Sequence, residues 1–452
     1  MEFGICNLEL VSLNSMEKAF KNLIKSEFPY LCNTKLLLAI SGGIDSVVLA
    51  HLCKNAKLQF SMAHCNFNLR GDESDADENF VVDLADALDV EVFTESFDTK
   101  SYAADTGISI QMAARELRYN WFDDLSSALN YDYILTGHHA NDDLETFLIN
   151  LIRGTGLEGL TGIKSENNKI IRPLLKFTRK EIGAYALQNS IKWTEDSSNI
   201  SSKYLRNKIR HQIIPVMEEI NPQLLEGFAK TQLHLNESFD LVEDYIGFLY
   251  PEIVSITDYG YQLKIDVLTK IPNPKAVLYQ LLKSFGFTEW DDVNHLLEAQ
   301  PGKMVFSETH RLIRDREFLI LTEKPSNKEN EIYSISEGEE IEMLPMGTFT
   351  FNEVEKISDT PPNCIYVDRE SLKYPLTLRK WQEGDVFYPF GMKGKKKLSD
   401  FFKDEKLSLP EKENTWLICS EDKIVWVVNH RADARFAITD PSQKIIKITY
   451  SL

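Results

Sequence analysis

Cysteine pairs are missing from this 452-residue chain, in which no C-x-x-C spacing occurs. Their absence argues against a disulfide framework, a zinc knuckle or a cysteine-ligated cluster built on that spacing. Buried or unreactive thiols are therefore expected. The six cysteines are scattered as Cys6, Cys32, Cys53, Cys65, Cys364 and Cys419.

Long apolar runs and several common motifs are also absent. No segment approaches the roughly 20 apolar residues that a membrane-spanning helix requires. The first residues lack the basic region and apolar core of a signal peptide, so we expect a cytoplasmic protein. The chain has no G-x-x-x-x-G-K-[ST], which excludes a Walker A loop. It also has no internal repeat and no low-complexity tract.

An excess of positive charge is lacking as well. The chain has 50 basic and 69 acidic residues, for a formal net charge of −19, which by itself does not favour nucleic-acid binding. Basic residues nevertheless concentrate in two segments, Lys203–His211 and Lys393–Lys397. Each segment is either a local contact for phosphate groups or a solvated charged face, and the sequence leaves both open.

The most informative feature present is a glycine turn between two apolar segments, Leu36–Ile40 and Val47–Ala50. A strand, a glycine turn and a helix in this order aim backbone N–H groups and a helix dipole at a phosphate. A carboxylate in the turn suits Mg²⁺ or a cationic substrate. The alternative is an ordinary strand-to-helix turn. The turn consists of Ser41, Gly42, Gly43, Ile44, Asp45 and Ser46.

Residues 35–190 alternate short apolar runs with helical periodicity, as in a parallel sheet covered by helices on both faces. Ligands of such sheets bind beyond the C-terminal ends of the strands. The predicted strands are Lys35–Ile40, Gln59–Ala63, Val90–Thr94 and Tyr133–Thr136. The predicted helices are Asp77–Leu88, Ile110–Leu129 and Asp142–Arg153.

The chain length predicts about three domains. We expect an α/β catalytic domain at 1–221, a small and mostly helical domain at 222–328, and a C-terminal β-rich domain at 329–452. The middle segment has helical patterns and an alternating hairpin pattern at 303–322. A polar linker, Glu323–Asn330, separates it from the short strand patterns that begin at Ile332.

Carboxylates gather in the segment Gly137–Thr146, which runs from a predicted strand end into a helix. Asp142 and Glu145 share one helical face. With Asp45 they would form an acidic pocket for a substrate ammonium, Mg²⁺ or both. The alternative is a helix N-terminus enriched in acidic residues because of the helix dipole.

Two further segments could contact a nucleotide. Arg115 and Arg118 share a face of the helix predicted over 110–129, and an arginine can neutralise charge on a transferring phosphoryl group. The alternative is a surface helix with paired Glu and Arg residues. The segment His64–Gly71 ends the second predicted strand, close to the expected nucleotide site.

The order of these motifs along the chain resembles that of the N-type ATP pyrophosphatase (PP-loop) superfamily. It consists of SGGIDS at 41–46, then His64-x-Asn66 with Leu69-Arg70-Gly71, then Gly137-His138-His139 with Asp142 and Glu145-Thr146. Within that superfamily the chain resembles the bacterial tRNA(Ile)-lysidine synthase family. The motifs of that second resemblance are Arg153–Leu160, Arg172–Leu175, Asp196–Asn199, Arg206–Arg210 and Gly384–Phe402. One departure is Phe67-Asn68, where family members usually have His-Gly.

The resemblance implies a two-step reaction on the wobble cytidine of an isoleucine tRNA with a CAU anticodon. The cytosine 2-carbonyl oxygen attacks the α-phosphate of ATP and releases diphosphate. The ε-amine of free lysine then displaces AMP, which gives lysidine and changes codon reading from AUG to AUA. ATP and Mg²⁺ are the implied cofactors, and tRNA(Ile), free lysine and ATP are the implied partners. The sequence leaves the oligomeric state open, a homodimer included.

The resemblance also implies roles for individual residues. The proposed catalytic residues are Asp45, Arg118, Asp142 and Glu145, with Arg115 as a weaker candidate. Asp45, Asp142 and Glu145 would bind lysine, and Asp45 would also hold the metal. The ATP site would comprise Ser41, Gly42, Gly43, Ile44, Asp45, Ser46, His64, Gly137 and His138. The candidates for tRNA contacts are Arg206, Arg210, Lys395, Lys396 and Lys397.

Two other functions fit parts of the pattern. A PP-loop tRNA thiolase would need a sulfur-carrying cysteine or a cluster, and the missing C-x-x-C disfavours it. A tRNA-binding module without activity would have no use for Asp45, Asp142 and Glu145 together.

Overall fold

The computed structural model describes residues 15–195, 205–325, 332–338, 341–344, 347–358, 361–440 and 444–451. Cys6, Lys203, the motif Asp196–Asn199 and most of the predicted linker Glu323–Asn330 lie outside these residues. The chain divides into two compact units, Met1–Val242 and Glu243–Leu452. The predicted three-domain boundaries stay predictions. No helix in the described part of the chain is both long and apolar enough to cross a membrane.

The first unit is built on a six-stranded sheet with strand order β3-β2-β1-β4-β6-β5. All neighbours pair in parallel except β5 and β6. The predicted parallel α/β fold is thereby confirmed. The strands are β1 Leu36–Ala39, β2 Phe60–Asn66, β3 Val92–Ser96, β4 Tyr133–Leu135, β5 Glu166–Asn167 and β6 Ile170–Ile171.

The helices of this unit cover the sheet and bury an apolar core that includes Leu36, Leu38 and Val48. They are α1 Ser15–Glu27, α2 Ile44–Asn55, α3 Asp72–Leu88, α4 Thr99–Thr106, α5 Ile110–Leu129, α6 Ala140–Arg153, α7 Leu157–Leu160 and α8 Arg179–Gln188. They continue as α9 Leu205–Lys208, a π-helical turn Ile209–Ile213, α10 Ile214–Ile220 and α11 Leu224–Ile253, which runs into the second unit. Asn221 and Pro222 lie between α10 and α11.

The strand order reverses at β1, because β2 and β3 are added on one side of β1 whereas β4 and β6 are added on the other. Crevices at such a switch point, beyond the C-terminal strand ends, are where doubly wound folds bind ligands. The chain leaves β1 into the glycine turn and leaves β4 into Gly137-His138-His139. The topology therefore brings two motifs almost 100 residues apart to one edge of the sheet.

The second unit begins with a five-stranded antiparallel sheet of order β7-β8-β11-β10-β9. In the predicted hairpin, Leu312 of one strand pairs with Leu321 of the next, which confirms it. Its strands are β7 Val254–Thr257, β8 Gly260–Lys264, β9 Met304–Phe306, β10 His310–Arg314 and β11 Phe318–Glu323. Its helices are α12 Ile265–Leu268, α13 Pro274–Leu282 and α14 Trp290–His295.

The rest of the second unit is β-rich, as predicted. Its strands are β12 Tyr333–Ile335, β13 Ile341–Leu344, β14 Gly347–Val354, β15 Cys364–Asp368, β16 Leu376–Lys380, β17 Val386–Phe387, β18 Lys396–Lys397, β19 Trp416–Ser420, β20 Lys423–Val427, β21 Arg431–Ala432 and β22 Ile445–Ser451. They form sheets of order β12-β16-β19-β20-β21 and β13-β14-β22-β15 and the pair β17-β18. Two helices, α15 Leu398–Asp404 and α16 Leu409–Asn414, lie between β18 and β19.

Candidate active site

The turn after β1 requires glycine for reasons of space and conformation. Gly42 has a φ of +87°, and a Cβ there would lie 2.7 Å from Thr194 Oγ1. The Gly42 carbonyl accepts a hydrogen bond of 2.9 Å from the Thr194 amide, which ties the turn to the segment after α8. A Cβ on Gly137 would lie 3.0 Å from the Ser46 backbone nitrogen. Glycine at 137 thus lets the end of β4 approach the start of α2 closely, and glycine at 42 lets the turn pack against Thr194.

Hydroxyl groups hold the turn in shape. Ser46 Oγ donates to the Gly43 carbonyl at 2.9 Å and accepts from the Ser41 amide at 3.2 Å. Helix α2 starts after Gly43, which supplies no side-chain cap for the first N–H groups of the helix. Uncapped N–H groups at a helix N-terminus are suited to binding an anion.

A cavity of about 930 Å³ opens beyond the C-terminal ends of β1, β2 and β4. Most of the predicted site residues line it. They are Ser41, Gly43, Ile44, Asp45, Ser46, His64, Arg118, Gly137, His138, Asp142, Arg206 and Arg210. Three other predicted residues, Gly42, Arg115 and Glu145, lie outside the described lining. The three predicted lysines, 395–397, belong to the second unit.

Two histidines of the cavity wall are held in their neutral form. His64 is buried, its Nδ1 lies 3.0 Å from the Ile40 carbonyl, and burial lowers its pKa. Because a carbonyl only accepts, Nδ1 carries the proton. Burial lowers the pKa of His138 to about 4, against the opposing effect of Asp142, and its Nδ1 lies 3.0 Å from Thr136 Oγ1. Both rings are therefore uncharged hydrogen-bonding groups near neutral pH.

Asp45 lies in the first turn of α2, within a network of charged and histidine side chains. Its carboxylate forms an ion pair with Arg179 at the start of α8. His139 Nε2 lies 3.6 Å from Asp45 Oδ1 and 3.5 Å from Asp142 Oδ2. The Asp45 side chain keeps 31% of its surface exposed, so the carboxylate remains open to the cavity.

The predicted acidic pair on α6 is bound by two arginines. Arg210 donates to Glu145 Oε1 at 2.5 Å and to Asp142 Oδ1 at 3.0 Å. Arg206 donates to Glu145 Oε2 at 2.8 Å. The Glu145 side chain is only 1% exposed, whereas that of Asp142 is 14% exposed and borders the cavity. Glu145 therefore acts as an anchor for the arginines, and Asp142 is the member of the pair that a ligand can reach.

The ion pairs of this cluster shift the pKa values of Asp142 and Arg210. Burial would raise the pKa of Asp142, but the hydrogen bond and charge of His139 and the charge of Arg206 outweigh it and lower that pKa. Burial would lower the pKa of Arg210, but the bond to Glu145 outweighs it and raises that pKa. Both shifts favour the charged forms of Asp142 and Arg210, so these two residues place opposite charges next to each other.

The two arginines of α5 have different surroundings. The Arg118 guanidinium lies 5.1 Å from the centroid of the Phe67 ring and borders the cavity. The Arg115 guanidinium lies 4.8 Å from the centroid of the Tyr119 ring. Of the two, Arg118 is the one that a ligand in the cavity can contact.

Sequence reasoning missed several residues of the cavity. Arg179 pairs with Asp45, and the only local pattern that marks its segment is the capping box formed by Thr178 and Glu181. Trp193 and Thr194 line the cavity after a turn that carries no motif. These contacts join distant parts of the chain, so no local pattern reveals them.

Comparisons with known proteins agree with this geometry. Residues 12–217 match the PP-loop domain family, residues 256–324 the TilS substrate binding domain and residues 376–449 the TilS substrate C-terminal domain. A tRNA(Ile)-lysidine synthase of Parabacteroides distasonis is 41% identical over 92% of this chain and 95% of its own length. One from Bacteroides thetaiotaomicron is 39% identical over 94% and 97% of the two chains.

A solved structure, the U34-tRNA thiolase NcsA of Methanococcus maripaludis with its [4Fe-4S] cluster, is more distant. It is 21% identical with a TM-score of 0.41, over 49% of this chain and 78% of that chain, which is too low to bear on activity. The two relatives, by contrast, match across nearly the whole chain at about 40% identity. With a PP-loop domain followed by both substrate domains, this chain belongs to the tRNA(Ile)-lysidine synthase family of PP-loop enzymes.

Proposed function

We propose that the cavity binds ATP and free lysine and joins the lysine to the wobble cytidine of a CAU-anticodon isoleucine tRNA. The observation that carries this proposal is a glycine turn of the phosphate-binding type, in a cavity that is also lined by the carboxylates of Asp45 and Asp142. A carboxylate does not bind phosphate directly, but it suits an amine substrate or a Mg²⁺ ion beside the phosphates. Family membership supports the same reaction.

In the first step the cytosine 2-carbonyl oxygen attacks the α-phosphate and diphosphate leaves. The N–H groups at the start of α2 would hold phosphate oxygens, and the Arg118 guanidinium would stabilise the charge that develops on the α-phosphate. His64 and His138, both neutral, would contribute hydrogen bonds without adding charge.

In the second step the lysine ε-amine attacks C2 of the adenylated cytosine, and AMP leaves. An ammonium has no lone pair, so the lysine must be bound and lose a proton to a base before its amine can attack. Asp45 and Asp142 have the access for this role, and Glu145 would act through Arg206 and Arg210. A contact of these two arginines with tRNA phosphates stays a prediction, because their guanidinium groups bind carboxylates here.

Mg²⁺ fits this site only with help from the nucleotide. Among the described residues, no group of three or more His, Cys, Asp and Glu side chains could hold a metal ion. Mg²⁺ bound to nucleotides often takes one protein carboxylate and completes its coordination with phosphate oxygens and water. Asp45 would be that carboxylate, and the ion would neutralise charge on the diphosphate.

A thiolase reaction is not favoured. Cys65 is the one cysteine among the described residues that line the cavity. Burial raises its pKa to about 12, so it is a thiol and not a reactive thiolate near neutral pH.

The test is to incubate the protein with ATP, labelled lysine and an unmodified CAU-anticodon isoleucine tRNA transcript. We expect label in the tRNA together with AMP and diphosphate. Label in a methionine tRNA with the same anticodon, or diphosphate release that needs no tRNA, would contradict the proposal. The predicted cytoplasmic location and a homodimer stay predictions.

A further inference from the structure

Phe67 borders the cavity beside Arg118, the residue proposed to act on the α-phosphate. Its ring borders the cavity, and the Arg118 guanidinium rests over it at 5.1 Å from the centroid. Arg206 and Arg210 bind carboxylates, but the partner that the structure gives Arg118 is an aromatic ring. Among the described residues no carboxylate forms an ion pair with Arg118, so the ring holds its charge in place without neutralising it.

The Phe67 ring is itself fixed by its surroundings. It stacks on the Phe97 ring with centroids 5.8 Å apart and an interplanar angle of 22°. The Phe67 carbonyl accepts a hydrogen bond of 2.9 Å from Thr99 Oγ1, and the Thr99 residue is 1% exposed. The neighbouring Asn68, in the left-handed conformation at a φ of +51°, donates from Nδ2 to Ser96 Oγ at 2.8 Å. Backbone and ring are thus both anchored to the end of β3.

An arginine has several rotatable bonds, and ordering them costs conformational entropy each time the side chain must act. A carboxylate partner would order the side chain but would also satisfy the charge that the phosphate needs. The face of an aromatic ring orders a guanidinium through cation–π attraction and leaves its N–H edges available. Charge that is oriented before the reaction stabilises a transition state most effectively.

We propose that Phe67 is a positioning residue for the adenylation step and holds Arg118 in the orientation that meets the α-phosphate. The inference rests on the proposed role of Arg118. Phe67 itself touches neither the phosphate nor the metal in this scheme. Its effect is therefore transmitted through Arg118 and should vanish when the guanidinium is removed.

A double-mutant cycle tests this dependence. Diphosphate release is followed in a single turnover, with saturating ATP and enzyme in excess over an unmodified CAU-anticodon isoleucine tRNA transcript. We expect Phe67→Leu to slow release by about three- to tenfold, the range that one cation–π contact supports, with little change in the KM for ATP. In an Arg118→Gln background, Phe67→Leu should slow the reaction by less than about twofold.

Three further variants complete the design. Phe67→Tyr keeps the ring and should restore the rate. Phe97→Leu removes the ring stacked on Phe67 from outside the cavity lining, and should give a smaller loss that Arg118→Gln also abolishes. Phe93→Leu is the matched control, because Phe93 packs edge-on against Tyr131 at 6.4 Å, and its rate should stay at the wild-type value.

The outcomes separate this inference from the proposed function. If the wild type releases no diphosphate with tRNA and ATP, the proposed function fails. If the wild type is active but Phe67→Leu and Arg118→Gln are additive, Phe67 does not act through Arg118. An unchanged rate with a raised KM for tRNA would also overturn the inference, because the ring would then contact the nucleobase.

Discussion

At the scale of single residues, the carboxylates of the cavity divide into exposed and buried groups with different expected effects. Asp45 is partly exposed and its partner Arg179 keeps 47% of its side chain in solvent. Exposed ion pairs contribute little to stability. We expect Asp45→Asn to keep the free energy of unfolding within about 0.5 kcal/mol of the wild type and to lose most lysine incorporation. Urea denaturation and the labelled-lysine assay measure the two quantities, and full incorporation by this variant would contradict the assigned role.

Glu145 should behave in the opposite way. Its buried carboxylate binds both Arg206 and Arg210, and a neutral amide of the same size would leave two cations without their main partner. We expect Glu145→Gln to reduce the free energy of unfolding by about 1.5–3 kcal/mol, because it removes charge-assisted hydrogen bonds. Asp142→Asn is the comparison in the same helix, and its effect should fall mainly on the KM for lysine. A Glu145→Gln protein as stable as the wild type would show that the two arginines are not anchored there.

At the scale of elements, His138 and Asp143 flank the start of α6, and their titrations have opposite effects on the stability of the fold. Burial lowers the pKa of His138 to about 4, so between pH 6.5 and 4 the unfolded state binds more protons and acid destabilises the fold. Burial raises the pKa of Asp143 to about 6, so between pH 6 and 3.8 the folded state binds more protons and acid stabilises the fold. Within the overlap of these windows the two contributions offset each other in the wild type.

Single variants should expose each contribution. Relative to wild type, His138→Gln should gain stability as pH falls from 6.5 to 4, and Asp143→Asn should lose relative stability as pH falls from 6 to 4. Urea denaturation at intervals of half a pH unit gives both differences. Slopes of the same sign would show that one of the two pKa shifts has the wrong direction.

The elements were predictable to the extent that their patterns are local. The helix predicted over Ile110–Leu129 has those bounds in the structure, because Ser109 caps its first turn and Asn130 ends it in the left-handed conformation. The helix predicted from Asp77 begins earlier, at Asp72, because the polar first turn Asp72–Asp75 carries no apolar periodicity. The five-stranded sheet of the second unit was predictable only in its hairpin, since β7 and β8 are short and β7 follows α11 directly, without a turn motif.

The site was predictable where one motif supplies the chemistry. The glycine turn, His138 and Asp142 could be named because each follows a predicted strand. The pairing of Arg206 and Arg210 with Glu145 could not, because it joins residues more than 60 positions apart and the basic segment equally suggested phosphate contacts. These ion pairs depend on the packing of α6 against α9 and the π-helical turn at 209–213, which no periodicity encodes.

At the scale of the whole molecule, a protein of net charge −19 must contact tRNA phosphates through local basic sites. The sequence predicts the three lysines at 395–397 as a set, but the structure distinguishes among them. Lys396 pairs with Asp404 at 2.5 Å and lies 5.8 Å from the centroid of the Phe401 ring. Lys395 and Lys397 are exposed in the hairpin of β17 and β18. Of the three, these two are the better placed to offer their ammonium groups to a phosphate.

We therefore expect Lys395→Ala with Lys397→Ala to raise the KM for tRNA and to leave the KM values for ATP and lysine unchanged. The slope of log affinity for tRNA against log salt concentration should become shallower, by at most about 0.7–0.9 for each phosphate that is no longer bound. Lys396→Ala should leave that slope unaltered, because its charge is already paired. Lys423→Ala, at another exposed lysine of the same unit, is the control for the loss of a single positive charge elsewhere. A slope that stays at the wild-type value in the double variant would mean that this hairpin is a solvated turn and that the tRNA is held elsewhere.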